Sequence, residues 1–77
     1  DKSLIISDIL AMYPEAPRAT FVMVGDREHD VLGAHANDIA AIAVGYGYGT
    51  MAELLAARPT AIATSVPALR DLLLPKQ

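Results

Sequence analysis

The sequence predicts an α/β fold in which helices cover both faces of a parallel β-sheet. Two apolar runs, 20–24 and 39–44, are continuous rather than alternating, which is typical of strands that are covered on both faces. Helical patterns precede, separate and follow these runs, so the predicted order is α-β-α-β-α-β-α. A strand, a helix and a second strand of this length require a parallel, right-handed crossover.

The first predicted element is an amphipathic helix that stops before Pro14 and Pro17. Its apolar residues recur at spacings of three to four and are Leu4, Ile5, Ile6, Ile9, Leu10 and Tyr13. The first strand, 20–24, leads into a second helix that ends near Asn37 and Asp38, and the run 39–44 forms the second strand.

The second half of the chain predicts a loop, two helices and a short strand. The glycine-rich stretch 45–49 (GYGYG) cannot comfortably continue a strand, and it predicts a turn near the end of the second strand. Thr50 and Glu53 have capping-box spacing, so we expect a third helix over 51–57. A third strand is predicted at 60–63, and Ser65 is expected to cap a last helix that runs until Pro75.

Composition limits the class of protein and its partners. A chain of 77 residues forms at most one small domain, and 53% apolar residues predict a globular chain. The net charge is −3 and the basic residues are scattered, so neither nucleic acid nor a membrane is expected as a partner. The chain has no cysteine and does not start like a signal peptide, and we therefore expect a cytoplasmic location.

An acidic hexapeptide, 25–30 (GDREHD), follows the first predicted strand and opens the second helix. Ligands of open parallel sheets bind at this carboxyl end of the strands. Asp26 and Asp30 are four residues apart, so their carboxylates can lie on one side of the first helical turn and suit Mg²⁺. In the alternative interpretation, Asp26 only caps the helix and Asp30 only favours its positive end. Arg27 could meet a phosphate, or it could pair with Glu28 or Asp30.

The segment 22–34 (VMVGDREHDVLGA) resembles the fourth-motif region of the haloacid dehalogenase (HAD) superfamily, in its phosphoglycolate-phosphatase-like branch. The resemblance extends through 45–50 (GYGYGT), 53–55 (ELL) and 66–69 (VPAL), and so covers nearly the whole chain. The resemblance implies a Rossmann-like, HAD-like core. It also implies a Mg²⁺-dependent phosphatase that hydrolyses a small-molecule phosphate monoester, such as phosphoglycolate, through an aspartyl-phosphate.

The resemblance also implies roles for individual residues. Asp26 matches the aspartate that ligates Mg²⁺, and Asp30 matches the one that completes the metal site directly or through water. Lys2 stands where the family's third motif has the lysine that neutralises the nucleophile and the substrate phosphate. Arg27 is a weaker candidate for contact with substrate.

Several parts of the family's pattern are not found in this sequence. There is no Asp-x-Asp-Gly-Thr/Ser motif with the nucleophile, no phosphate-binding Ser or Thr upstream of Lys2, and no cap domain. We therefore expect residues 1–77 to be a partial domain, the C-terminal portion of the core, whose partner is the missing N-terminal part of the same protein. The isolated chain is expected to be inactive.

The sequence leaves two functions as alternatives to a phosphatase. The chain could be a non-catalytic interaction module derived from a truncated phosphatase. A phosphoryl-accepting signalling domain is disfavoured, because it needs a phosphorylatable aspartate at a separate strand end, and the ends after Val44 and Ala63 offer none.

Overall fold

The computed structural model describes residues 1–74, and in this part of the chain helices and strands alternate in the predicted order. The elements are α1 (Lys2–Ala11), β1 (Val22–Gly25), α2 (Glu28–Ala36), β2 (Ala40–Val44), α3 (Met51–Ala56), β3 (Ala61–Ala63) and α4 (Val66–Leu73). A short 3-10 helix, Arg18–Thr20, precedes β1. Pro75, the predicted stop of the last helix, lies outside the described residues.

The strands form a parallel sheet in the order β1-β2-β3. Val22 is in register with Ala40, and Ile42 is in register with Ala61, so β2 occupies the centre of the sheet. The parallel arrangement confirms the prediction from the two continuous apolar runs. Strand bounds differ by one or two residues from the prediction, since β1 begins at Val22 rather than at residue 20 and ends at Gly25.

Helices cover both faces of this sheet, as predicted. On one face, the larger core joins α1, α2 and α3 to the sheet through Ile6, Leu10, Val31, Ala34, Ile39, Ala41, Ala43, Leu54 and Ala57. On the other face, α4 contributes Ala68 and Leu69, which pack against Ile42, Val44 and Ala63. Alternate residues of β2 therefore enter two different cores, which explains why its sequence is apolar throughout.

The prediction for α1 was wrong in two respects. Tyr13 lies beyond the end of the helix, where its ring stands 6.3 Å from that of Phe21. Of the apolar residues in α1, only Ile6 and Leu10 are buried, while others such as Leu4 and Ile5 are more than half exposed. The reason is that α1 packs mainly on α2 and reaches the core along one narrow stripe.

The expectation that the first strand is covered on both faces was also wrong for this part of the chain. Val22 and Val24 are 40% and 38% exposed, whereas Met23 packs into the larger core. The cause is the position of α4, which lies against β3 and leaves the same face of β1 open. None of the helices between residues 1 and 74 has the length and apolar content that a membrane span requires.

Gly33 allows α1 and α2 to approach closely. A Cβ atom at Gly33 would lie 2.9 Å from Cγ of Lys2 and 3.1 Å from the backbone nitrogen of Ser3. Nearby, the side-chain amide of Asn37 donates to the carbonyl oxygens of Ser3 and Gly33. The close crossing at Gly33 fixes the first turn of α1 against α2. Helix α2 ends where the sequence predicts, and the following Asp38 has the left-handed backbone conformation, with a φ of 59°.

Candidate functional site

The predicted acidic residues lie at the carboxyl ends of β1 and β2. Asp26 directly follows β1, and the glycine-rich loop that follows β2 packs on it. The backbone amide of Tyr48 donates to Oδ2 of Asp26 over 3.0 Å. A Cβ atom at Gly47 would overlap the Asp26 side chain, and one at Gly49 would overlap its carbonyl oxygen. Only glycine at these two loop positions permits so close an approach.

Asp30 is the buried acid of the site, with only 7% of its surface exposed. Its Oδ1 atom forms an ion pair with Nζ of Lys2 at 3.0 Å, and its Oδ2 atom accepts a hydrogen bond from the amide of Arg27 at 3.3 Å. Nε2 of His29 lies 3.8 Å from Oδ1. Both carboxylate oxygens thus have partners, as a buried carboxylate requires.

The structure brings Lys2 and Asp30 together, whereas Asp26 is turned towards the loop after β2. The alternative interpretation is wrong for Asp26, because Arg27 is the residue at the N-cap of α2 and Asp26 bonds to Tyr48 instead. For Asp30 it holds in part, since this residue lies in the first turn of α2 and accepts the Arg27 amide.

The donor chemistry of the site suits a hard divalent cation. Asp26 is half-buried, and one of its carboxylate oxygens accepts a hydrogen bond from a backbone amide. Mg²⁺ typically binds one or two carboxylates together with water and phosphate, so this carboxylate fits Mg²⁺. Among residues 1–74, no three His, Cys, Asp or Glu side chains cluster closely enough to hold a metal ion by themselves. A cation bound here would therefore need ligands in addition to these side chains.

Glu53 is a residue of the site that the sequence did not reveal. Its Oε2 atom accepts hydrogen bonds from Nε of Arg27 at 2.9 Å and from the amide of Glu28 at 2.8 Å. Thr50 caps α3 as predicted, with Oγ1 accepting from the amide of Glu53 at 3.1 Å. The Glu53 side chain, however, reaches to α2 rather than completing a local capping box. The guanidinium of Arg27 thus pairs with Glu53 rather than with Glu28 or Asp30.

The contact between Arg27 and Glu53 shifts the pKa values of both groups. The hydrogen bond from Arg27, followed by that from the amide of Glu28, lowers the pKa of Glu53 below its ordinary value. The hydrogen bond to Glu53 and its negative charge raise the pKa of Arg27. Both groups are therefore held in their charged forms.

We expect this contact to stabilise the intact protein less as the solution becomes acidic. Because the pKa of Glu53 is lower in the folded state than in the unfolded state, its contribution is complete above the ordinary glutamate pKa and is lost as the pH falls through the folded value. Urea unfolding of wild type and Glu53→Gln from about pH 7 to about pH 3 measures it. The difference in unfolding free energy should shrink on acidification, and a constant difference would contradict the expectation.

Replacing Lys2 by methionine is expected to destabilise the intact protein by about 1–3 kcal/mol, because the buried Asp30 carboxylate loses its charged partner. Arg70→Met is the matched control, since Arg70 and Asp71 form an ion pair whose side chains are 64% and 75% exposed. That control should change the unfolding free energy by less than about 1 kcal/mol. Equal changes in unfolding free energy for the two substitutions would show that the Lys2–Asp30 ion pair stabilises the protein no more than an exposed pair does.

A family model described as HAD-hydrolase-like matches residues 2–69 of this chain. The chain belongs to the HAD-hydrolase-like family. This confirms the resemblance at the level of the family, and the match includes Lys2, Asp26 and Asp30.

Two solved structures share this fold. A structure described as a phosphatase, from Clostridium difficile, has a TM-score of 0.89 and 35% identity, and the match covers 94% of this chain and 34% of that chain. A haloacid dehalogenase-like family hydrolase from Streptococcus pneumoniae has a TM-score of 0.76 and 31% identity, with 91% of this chain and 32% of that chain covered.

Curated relatives carry different activities in their names. A 5'-nucleotidase of Pseudomonas aeruginosa is 50% identical over 52 residues, which are 68% of this chain and 24% of the relative. The tyrosine-protein kinase PtkA of Mycobacterium tuberculosis is 37% identical over 68 residues, which are 88% of this chain and 23% of the relative. The chain thus spans about a quarter of the length of these curated relatives.

Proposed function

We propose that this chain is the C-terminal part of the core domain of a Mg²⁺-dependent phosphatase that hydrolyses a small-molecule phosphate monoester. The observation that carries the proposal is the ion pair of 3.0 Å between Lys2 and the buried Asp30, at the same end of β1 as Asp26. It joins the lysine and the second aspartate of the family's pattern, although they are 28 positions apart in the chain. The HAD-hydrolase-like match and the phosphatase described among the solved relatives support it.

Each residue of the site has a distinct proposed task. Asp26 would hold Mg²⁺ through the oxygen that does not accept from Tyr48, and Asp30 would act through water, because both of its oxygens have protein partners. Lys2, oriented by Asp30, would neutralise the nucleophilic aspartate and the substrate phosphate. The bound cation would stabilise the negative charge that develops on the phosphate. Arg27, which is held by Glu53, is a less suitable substrate ligand than the sequence suggested.

The nucleophile and the cap would come from the N-terminal part of the same protein, which we propose as the partner of this chain. The open face of β1 at Val22 and Val24 supports this, because exposed apolar strand residues favour contact with further protein. Residues 1–77 alone would then bind the cation weakly and would not turn over substrate. The partial-domain assignment and the cytoplasmic location stay predictions.

A phosphoglycolate-like substrate is the first candidate, from the branch that the motifs resemble. The name of the Pseudomonas relative makes nucleoside monophosphates the second candidate. The name of PtkA adds phosphoryl transfer to tyrosine as a different activity for the same site. A non-catalytic interaction module remains the alternative function, and exposed apolar residues such as Leu4, Ile5, Val22 and Val24 favour it.

Phosphate release by the intact protein tests the proposal. We expect release from p-nitrophenyl phosphate, phosphoglycolate or nucleoside 5'-monophosphates when Mg²⁺ is present and none when EDTA removes it. Residues 1–77 alone should be inactive, and adding the separately produced N-terminal part should restore turnover. If the intact protein is inactive on all of these substrates, the phosphatase proposal fails. ATP-dependent labelling of tyrosine would then favour the kinase activity, and a lack of labelling would favour the interaction module.

A further inference from the structure

Helix α2 begins with a residue that cannot cap it. Arg27 occupies the N-cap position, and its guanidinium has donors but no acceptor for the free amides of the first turn. Glu53 from α3 supplies the missing acceptor, because its Oε2 atom receives the Glu28 amide at 2.8 Å. The same oxygen receives Nε of Arg27 at 2.9 Å. One carboxylate therefore caps the helix and binds the arginine that immediately follows Asp26.

The position of Arg27 matters because a guanidinium and a divalent cation compete for the same carboxylate. Arg27 directly follows Asp26 in the chain. The pKa of Arg27 is raised first by Glu53 and more weakly by the negative charges of Asp26 and Glu28. Guanidinium groups pair readily with carboxylates, often through two hydrogen bonds. Without Glu53, the negative charges that still act on Arg27 include those of Asp26 and Glu28.

We infer that Glu53 is a positioning residue that holds Arg27 away from Asp26 and thereby keeps the Asp26 carboxylate available to a divalent cation. The inference rests on the proposed function, since it gives Asp26 the role of metal ligand. Glu53 thus belongs to the site although it lies on α3, because its negative charge acts on Asp26 through Arg27.

Gly49 packs against both Asp26 and Glu53. A Cβ atom at Gly49 would overlap the carbonyl oxygen of Asp26 and would lie 3.3 Å from Oε2 of Glu53. Thr50 fixes the backbone of Glu53 through its side-chain oxygen. Glu53 thus has a structural task and an electrostatic task, and the test must separate them.

Glutamine at position 53 separates these tasks, because its carbonyl oxygen can still accept the Glu28 amide while the negative charge is lost. We would measure the dissociation constant of Mn²⁺, by electron paramagnetic resonance, on the intact protein. Glu53→Gln should raise it about tenfold to a hundredfold, as outer-sphere substitutions at metal sites do. The double variant Arg27→Gln/Glu53→Gln should return it to within about threefold of wild type, since the competing guanidinium is gone. Glu15→Gln, at an exposed position, should have no effect.

The outcomes distinguish this inference from the proposed function. Equal weakening by the single and the double variant would overturn the inference and leave Glu53 as a helix cap, and so would an unchanged dissociation constant in Glu53→Gln. Mn²⁺ binding with the expected pattern but without phosphate release would support the inference and overturn the phosphatase. A wild-type protein that binds no Mn²⁺ would overturn both.

Discussion

Asp26→Asn is expected to reduce Mg²⁺-dependent phosphate release by the intact protein by about a hundredfold or more. Asparagine has nearly the same shape and can still accept the Tyr48 amide, but it lacks the negative charge that attracts the cation. Stabilisation by a metal ion contributes several kcal/mol to such reactions, and about 3 kcal/mol corresponds to a hundredfold change in rate. Initial rates of phosphate release at saturating Mg²⁺ measure the effect.

The matched control for this substitution is Asp8→Asn. Asp8 is an exposed carboxylate on α1, so its loss changes the net charge by the same amount without touching the loop after β2. Thermal unfolding should show similar midpoints for both variants and wild type. If Asp26→Asn keeps its activity, Asp26 is only an anchor for the glycine-rich loop, and the metal ligand must be sought elsewhere.

Gly49→Ala is expected to impair the site through the backbone alone. The added Cβ would overlap the carbonyl oxygen of Asp26, which cannot rotate away as a side chain would, so either the loop or Asp26 must move. Overpacking of this kind costs about 1–3 kcal/mol of stability, and a displacement of about 1 Å in a catalytic group can lower the rate about a hundredfold. Urea unfolding and phosphate release by the intact protein test the two expectations.

Gly45→Ala, at the other end of the same loop, provides the comparison. A Cβ atom at Gly45 would meet Cε of Met51 at 2.9 Å, and this flexible end of a side chain can move aside. Both glycines have a negative φ, so left-handed backbone strain does not distinguish them. Equal loss of activity in the two alanine variants would show that flexibility of the loop, rather than its contact with Asp26, is what the glycines supply.

The order of the elements could be predicted from the sequence because it depends on local patterns. The continuous run in β2 correctly indicated a strand covered on both faces, and Ser65 and Thr50 marked two helix starts through their capping oxygens. The continuous apolar run in β1 gave a wrong prediction of burial on both faces, because burial depends on which helix packs over the strand. Val24 has the sequence pattern of a buried residue and is 38% exposed.

The site was predictable only in part for a related reason. Asp26 and Asp30 could be identified from their spacing after β1, but the pairing of Asp30 with Lys2 depends on the close crossing of α1 and α2 at Gly33. Glu53 had the spacing of a local capping box, and that local signal concealed its long-range contact with Arg27. Contacts between distant parts of the chain carry no periodic signal.

The central position of β2 affects how the surroundings of Asp26 form during folding. Its pairings with β1 and β3 each close a segment of only about 20 residues, for which the entropy of closure is small. Asp26 follows β1 and its loop partner Tyr48 follows β2, so these groups come together as soon as those two strands pair. We therefore expect the environment of Asp26 to form in the same step as the pairing of β1 with β2.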